Sequence, residues 1–329
     1  MKFALSPEQR SFAEALDGLL GAADVPAATR AWGAGDTGPG LAVWDQLAEL
    51  GVPALVIPEE LGGIGGTPLD VAVAFEALGR HGVPGPWVES VALAPSLLAG
   101  TEHEGVLGEL AEGAARVTVA APPQTPYALD VQAATHTYLV DADGLAAAAS
   151  TRTLASVDPS RHLHAVQAEG ATVAVDSAAL ARGLDLAALA SAASLVGAGE
   201  RMLREAVAYV GQRRQFGRAI GEYQAVKHAL ADVRVALDFA RPLVHGAARE
   251  LEAGSDIAAR DVSASKVAAS DAAHLASRRA LQVHGAIGYT LEHDLSIFIL
   301  RVRALVGVWG TPSQHRARVL DRLTATARS

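Results

Sequence analysis

The chain has 329 residues, half of them hydrophobic but only 5% aromatic, with a formal net charge of −9. That length supports more than one domain and a large buried core, and the acidic balance argues against nucleic acid as a partner, because phosphate binding needs a basic face. No cysteine is present, which removes disulfides, thiolate metal sites and thiol catalysis.

Residues 1–115 read as an N-terminal helical domain broken by glycine and proline. Glu8, Arg10, Glu14 and Asp17 are spaced like a solvated helix face and not like the apolar stretch of a signal peptide. Ser6-Pro7-Glu8-Gln9 supplies a cap, a proline at the first helical position and an acid in the first turn. Phe12, Leu16, Leu19 and Leu20 then recur at helical spacing. The glycine-rich stretch Gly51–Gly66 predicts a structured loop. A helix returns from Thr67-Pro68-Leu69-Asp70, with Gly79 or Gly82 near its end.

Residues 116–180 change texture. VTVAA, HTYLV, HLHAV and ATVAV are β-branched runs separated by proline, glycine and aspartate, and predict a small central β-domain. From Leu184 the pattern is helical again, with breaks at Gly211–Gly221, Ala253–Asp256, Gly285–Tyr289 and Gly307–Pro312. Residues 181–329 therefore predict a four-helix bundle, and Tyr223–Leu251 is its longest predicted helix. The uncharged run Leu186–Gly199 spans 14 residues, too few to cross a bilayer, so no membrane insertion is expected and the chain reads as cytoplasmic. His228, His284 and His315 lack partners at metal-ligand spacing and read as packing residues, with no metal site expected. The Gly62–Gly66 cluster lacks the strand and lysine of a phosphate loop.

Three ordered segments resemble the acyl-CoA dehydrogenase family: Glu49–Gly82, the RRQFGRAIGEYQAVKHALAD stretch of Arg213–Asp232, and LQVHGAIGYTLEHDLSIFILR of Leu281–Arg301. The resemblance implies a mostly α fold with an N-terminal helical domain, a β-barrel and a C-terminal four-helix bundle. It places the Gly62–Gly66 loop near the acyl pocket. It also implies FAD as cofactor, an acyl-CoA substrate, and contacts to FAD from Arg213, Phe216, Gln224, Gln282, Gly285 and Thr311. In the family, the arginine and the glutamine–glycine segment reach a neighbour's FAD. The residue types suit that role. Arg213 offers a planar donor fork for a pyrophosphate, Phe216 an apolar surface, Gln282 both donors and acceptors, and Gly285 close backbone approach.

The chain departs from the family at the base. The glutamate of a Y-E-G-T segment is replaced in Val308-Trp309-Gly310-Thr311, and the alternative glutamate of G-L-D-L-E-R is replaced by Ala187. Neither Trp309 nor Ala187 can accept a proton. Asp185, two residues away, is expected to face elsewhere and to act as a cap or interface residue. The segments that hold the flavin ring have no counterpart between Val117 and Ser177, and the β-domain is short, a reduced barrel. This pattern resembles the shortened, non-catalytic subunit of heteromeric (α2β2) acyl-CoA dehydrogenases of actinobacterial steroid side-chain degradation, whose full-length partner supplies base and flavin shelf. A homomeric flavoenzyme with an atypical base and a non-enzymatic scaffold are the alternatives left open by sequence.

Overall fold

Local sequence signals set the helix starts in the computed structural model, which describes residues 4–326. Helix α1 (Pro7–Ala22) opens on a capping box, in which Ser6 Oγ accepts from Gln9 N and Gln9 Oε1 accepts from Ser6 N. Two otherwise unpaired donors are thereby satisfied reciprocally. Two shorter helices follow, α2 (Val25–Gly33) and α3 (Gly38–Glu49). The expected loop after α3 is a chain of turns with one 3₁₀ turn at Glu59–Leu61, folded back on itself by bonds such as Ile64 N to Ala54 O and Gly66 N to Leu55 O. Helix α4 (Pro68–His81) repeats the capping box with Thr67 and Asp70 and ends at Gly82 in the left-handed region, φ +73°. A buried π-helical turn, Val88–Leu93, then leads into α5 (Ala94–Leu98) and α6 (Val106–Ala111).

The central domain is one mixed sheet of β1 (Val117–Ala120), β2 (Ala128–Leu129), β3 (His136–Asp141), β4 (Gly144–Leu154) and β5 (Leu163–Val173), in the order β1-β3-β4-β5-β2. The ladder stays open, and its edge strands β1 and β2 meet where Leu129 N donates to Thr118 Oγ1 at 2.9 Å. The reduced barrel is thus a curled sheet. Strand β4 is absent from the predicted runs because its GLAAAASTRTL sequence is alanine-rich and weak in β propensity; pairing with β3 on one side and β5 on the other decides its conformation. HLHAV and ATVAV, read as separate runs, belong to the single strand β5.

The C-terminal bundle consists of α7 (Ser177–Gln212), α8 (Gln224–Glu252), α9 (Ala258–His284) and a fourth segment bent into α10 (Leu295–Leu305) and α11 (Pro312–Thr326), with a small hairpin, β6 (Arg214–Gln215) and β7 (Arg218–Ala219), between α7 and α8. The longest helix is α7, at 36 residues against 29 for α8, and not the predicted Tyr223–Leu251 segment. Asp176 caps it by accepting from Ala179 N, so it begins before Leu184, and its internal glycines continue the helix. Those glycines serve packing. A Cβ on Gly197 would lie 2.0 Å from Glu76 O, and one on Gly79 would lie 2.1 Å from Ser194 O, so α4 and α7 cross backbone against backbone. Helix α7 contains an 18-residue window apolar enough to cross a membrane, but 72% of that window is buried inside the fold. It is a core helix, continuous with apolar side chains of all three regions.

Candidate functional site

Two places in the fold collect the residues singled out by sequence. The first is the turn between α10 and α11. Trp309 is 3% exposed and, for a bulky residue, strained at φ +54°. Its N–H donates to Thr125 Oγ1 at 3.2 Å and its carbonyl accepts from His315 Nε2 at 3.0 Å. His315 Nδ1 then accepts from Ser263 Oγ at 3.1 Å, which fixes the neutral tautomer. Burial pushes the His315 imidazole down to about 4. Gly310 is required beside it: at φ +104°, a Cβ there would lie 2.4 Å from His315 Nε2.

Trp309 borders a cavity of about 370 Å3 lined also by Gln124, Ala181, Leu184, Ala188, Gly310, Gln314, His315 and Arg318, none of them an acid. Ala187 is fully buried on α7. Asp185 is also buried, in the third turn of α7, where its two oxygens accept from the Arg318 guanidinium. Asp176 is the helix cap, so the cap role expected for Asp185 is corrected: its carboxylate clamps α11 to α7.

Ionisable side chains that sequence reasoning passed over lie behind Trp309. Glu89, on the π-helical turn, is 2% exposed, and burial pushes its carboxyl up to about 7, with the Arg161 charge and the Trp309 indole opposing the rise. Neither Glu89 Oε2 nor Trp309 Nε1 has a hydrogen-bond partner. Lys266 is fully buried on α9 and donates to Leu305 O at 2.7 Å; burial and the neighbouring Arg161 push its amine down to about 7. Arg301 donates to Asp158 Oδ2 (2.5 Å), Val83 O (2.9 Å) and Ser160 Oγ (2.8 Å), tying α10 to both other domains. The signal for Glu89 and Lys266 was a single charge inside an otherwise uncharged run, as in PWVESVALAP and SASKVAAS.

The second place is the far end of the bundle. Arg213 closes α7 as its exposed C-cap residue, and Phe216, at the tip of the hairpin, is 92% exposed with φ +50°. Arg218 stacks over the Tyr223 ring at 4.0 Å, which holds the hairpin against the start of α8, where exposed Gln224 sits. Helix α9 ends at Gly285, φ +64°, one turn after exposed Gln282. Tyr209, on the last turn of α7, stacks on His284 with ring centroids 4.3 Å apart. That contact brings the Arg213 and Gln282–Gly285 segments to one end of the bundle. Thr311 does not join them. It follows Trp309, whose neighbour His315 touches Ser263, and Ser263 lies about 30 Å along α9 from His284 at 1.5 Å per residue. His284 is the packing residue expected, His315 is a buried brace and His228 is exposed. Among the described residues no cluster of three or more His, Asp or Glu is placed to hold a metal ion.

Fold and site together define a class. The sequence profile of the acyl-CoA dehydrogenase N-terminal domain matches residues 6–113 and that of its C-terminal domain residues 177–324, and the chain belongs to the acyl-CoA dehydrogenase family. Among individual relatives, it is 35% identical over 324 residues to acyl-CoA dehydrogenase IpdE2 of Mycobacterium tuberculosis, covering 96% of each chain. Identity to IpdE2 of Mycolicibacterium smegmatis is 34%, over 96% of this chain and 98% of the relative. The fold is shared with a variant of the Tcur3481-Tcur3483 steroid ACAD (TM-score 0.86, 21% identity, 98% of this chain and 99% of that one). It is shared equally with the ChsE4-ChsE5 complex from Mycobacterium tuberculosis (TM-score 0.82, 22% identity, 98% and 99%).

Proposed function

We propose that this chain is a non-catalytic subunit of a heteromeric, FAD-dependent acyl-CoA dehydrogenase that introduces an α,β double bond into an acyl-CoA thioester. The observation that carries this reading is Trp309, which stands at the family's base position in a cavity without an acid. An α-proton abstraction needs a carboxylate within hydrogen-bond reach of the thioester. Asp185 is held by Arg318, and both ring nitrogens of His315 are engaged, so neither replaces that base.

The other end of the bundle supports a contribution to the cofactor. FAD, when bound, accepts the hydride leaving the β-carbon. The exposed Arg213 fork, the Phe216 ring, Gln224, Gln282 and the left-handed backbone at Gly285 fit the pyrophosphate half of such a group. Thr311 is proposed for the flavin end of a site, on the opposite side of the bundle. The sheet carries no counterpart of the family's flavin shelf, and a full-length partner is proposed to supply shelf and base. The name of IpdE2, an acyl-CoA dehydrogenase, supports the reaction class, and the two-component names of the structural neighbours support a two-chain arrangement.

The test is the flavin count. Expressed alone the chain is expected to be colourless, and co-expressed with its partner it is expected to give a yellow heterotetramer with one FAD per heterodimer. Two flavins per heterodimer would sink the reading. Trp309→Glu is expected to leave flavin content and turnover per flavin unchanged, because an acid there faces no flavin of its own; doubled turnover with added flavin would show a site complete but for the base.

A further inference from the structure

Beside Glu89 lies a second, smaller cavity of about 40 Å3, bounded by the π-helical turn, the segment before β5 and helix α10. Its polar lining includes Glu89, Arg161, Ser194 and Arg301, and its walls are apolar side chains such as Leu78 and Trp87. The two arginines differ. Arg301 is 7% exposed and engaged by three acceptors. Arg161 is 9% exposed, lines the cavity, and has the carboxyl groups of Glu89, Asp158 and Asp130 as its opposite charges. Glu89 Oε2 is buried without a hydrogen-bond partner. Glu89 and Arg161 attract each other across the cavity without closing into an ion pair. A guanidinium lining a cavity beside a buried carboxyl oxygen that lacks a partner suits a small group carrying acceptors.

We propose that this cavity binds a small carboxylate of the formate or acetate class, gripped by the Arg161 fork and by the Glu89 carboxyl. The volume equals roughly three water-sized spheres at 10–15 Å3 each, enough for three or four heavy atoms. A carboxylate matches the planar guanidinium fork in bidentate geometry, which a spherical halide cannot do. Its second requirement is a proton. An ionised Glu89 would repel the ligand and neutralise Arg161 itself, whereas a protonated Glu89 donates to the ligand. The site is biased toward that form, since burial raises the Glu89 carboxyl and Asp130, from the segment after β2, raises it further. Three further charged groups face the pair. Asp158 serves Arg301, Asp130 accepts through Oδ1 from His162 N and Nδ1 at 2.9 and 3.0 Å while its Oδ2 stays buried without a partner and adds negative potential at both Glu89 and Arg161, and Lys266 on α9 adds positive potential beside Arg161.

The experiment is thermal denaturation of the full chain, in complex with its partner where it has one, with sodium formate or acetate against sodium chloride at equal ionic strength. Formate and acetate are expected to raise Tm at pH 6 and chloride is not. The carboxylate midpoint concentration is expected to rise about tenfold per pH unit above about 7, as Glu89 ionises. Glu89→Gln, a fixed neutral donor, is expected to keep the carboxylate effect and lose its pH dependence, a combination that a merely structural Glu89 does not produce. Arg161→Gln is expected to abolish the effect. Because that variant can fail to fold, a crystal structure of the unmutated protein grown in formate decides independently. Planar density bridging Arg161 and Glu89 supports the site, and density for water alone overturns it. Equal stabilisation by chloride and formate also overturns it.

Discussion

Where α7 and α9 end, Phe216 is 92% exposed, and Ile287, Tyr289 and Leu291, in the segment that follows α9, are 46%, 76% and 65% exposed. At the α10–α11 turn, Trp309 is 3% exposed, and Glu89, Arg161, Lys266, Arg301 and His315 are all buried around it. The first region presents apolar rings and charged forks to the outside, with Arg218 alone of the forks named above stacked on a ring of the same region. The second has drawn charges inward, where Arg301, Lys266 and His315 are held by protein acceptors while Glu89 keeps one oxygen without a partner. Exposed apolar groups rimmed by polar ones mark a surface completed by another molecule, whereas buried charges held by several acceptors mark a structural joint. On the proposed reading, the chain's contribution to catalysis lies at the open end, and its former catalytic corner has become part of the core.

The comparison is sharpened most by cutting the joint. Asp158→Ala leaves Arg301 buried without its carboxylate, and the expected cost is about 3–5 kcal/mol of stability. A loss below about 1 kcal/mol in urea unfolding would mean that the pair is not structural.

The second test uses pH. His315 titrates at about 4 in the folded chain against 6.5 in the unfolded one, so the unfolded state takes up the proton first. Stability from its burial is therefore present above pH 6.5 and lost as pH falls toward 4, by about 3 kcal/mol at the acid end. His315→Gln is expected to flatten that slope. Identical pH profiles for variant and parent would refute the assignment.

At the open end the effects are on binding. Arg213→Ala is expected to weaken flavin retention about 30-fold, roughly 2 kcal/mol, while assembly is kept; Arg213→Lys restores only part. Full flavin occupancy after dialysis, in this variant and with Gln282 also replaced by alanine, would remove the clamp. The smallest effect is expected for Phe216→Ala. With the ring 92% exposed, the melting of the free chain should change by less than about 0.5 kcal/mol, while flavin retention in the complex falls. A large loss of stability in the free chain would show that the ring packs internally.

Much of the open end was legible in the sequence, because its residues lie in short contiguous motifs. RRQFG and LQVHGAIG each place their donors and glycines within one helix end, and local rules fix helix ends. The joint was not legible. Glu89, Arg161, Lys266 and Arg301 come from four distant segments, and only the packing of the π-helical turn, the sheet and two helices brings them together. Strand β4 shows the same limit, since its alanines carry no preference that two neighbouring strands cannot override.

The amino-acid sequence by itself determined the order of helical, β and helical segments, the capping boxes at Ser6 and Thr67, and the presence of Trp309 and Ala187 where the proposed reading needs no acid. Those are matters of local chemistry and residue identity. Only the tertiary structure decided that α7 is the central helix, that Asp185 is bound to Arg318, and that Glu89 and Arg161 face each other across a cavity. Each depends on contacts between residues far apart in the chain, and the pKa shifts at Glu89, Lys266 and His315 arise from desolvation that exists only once those contacts have closed.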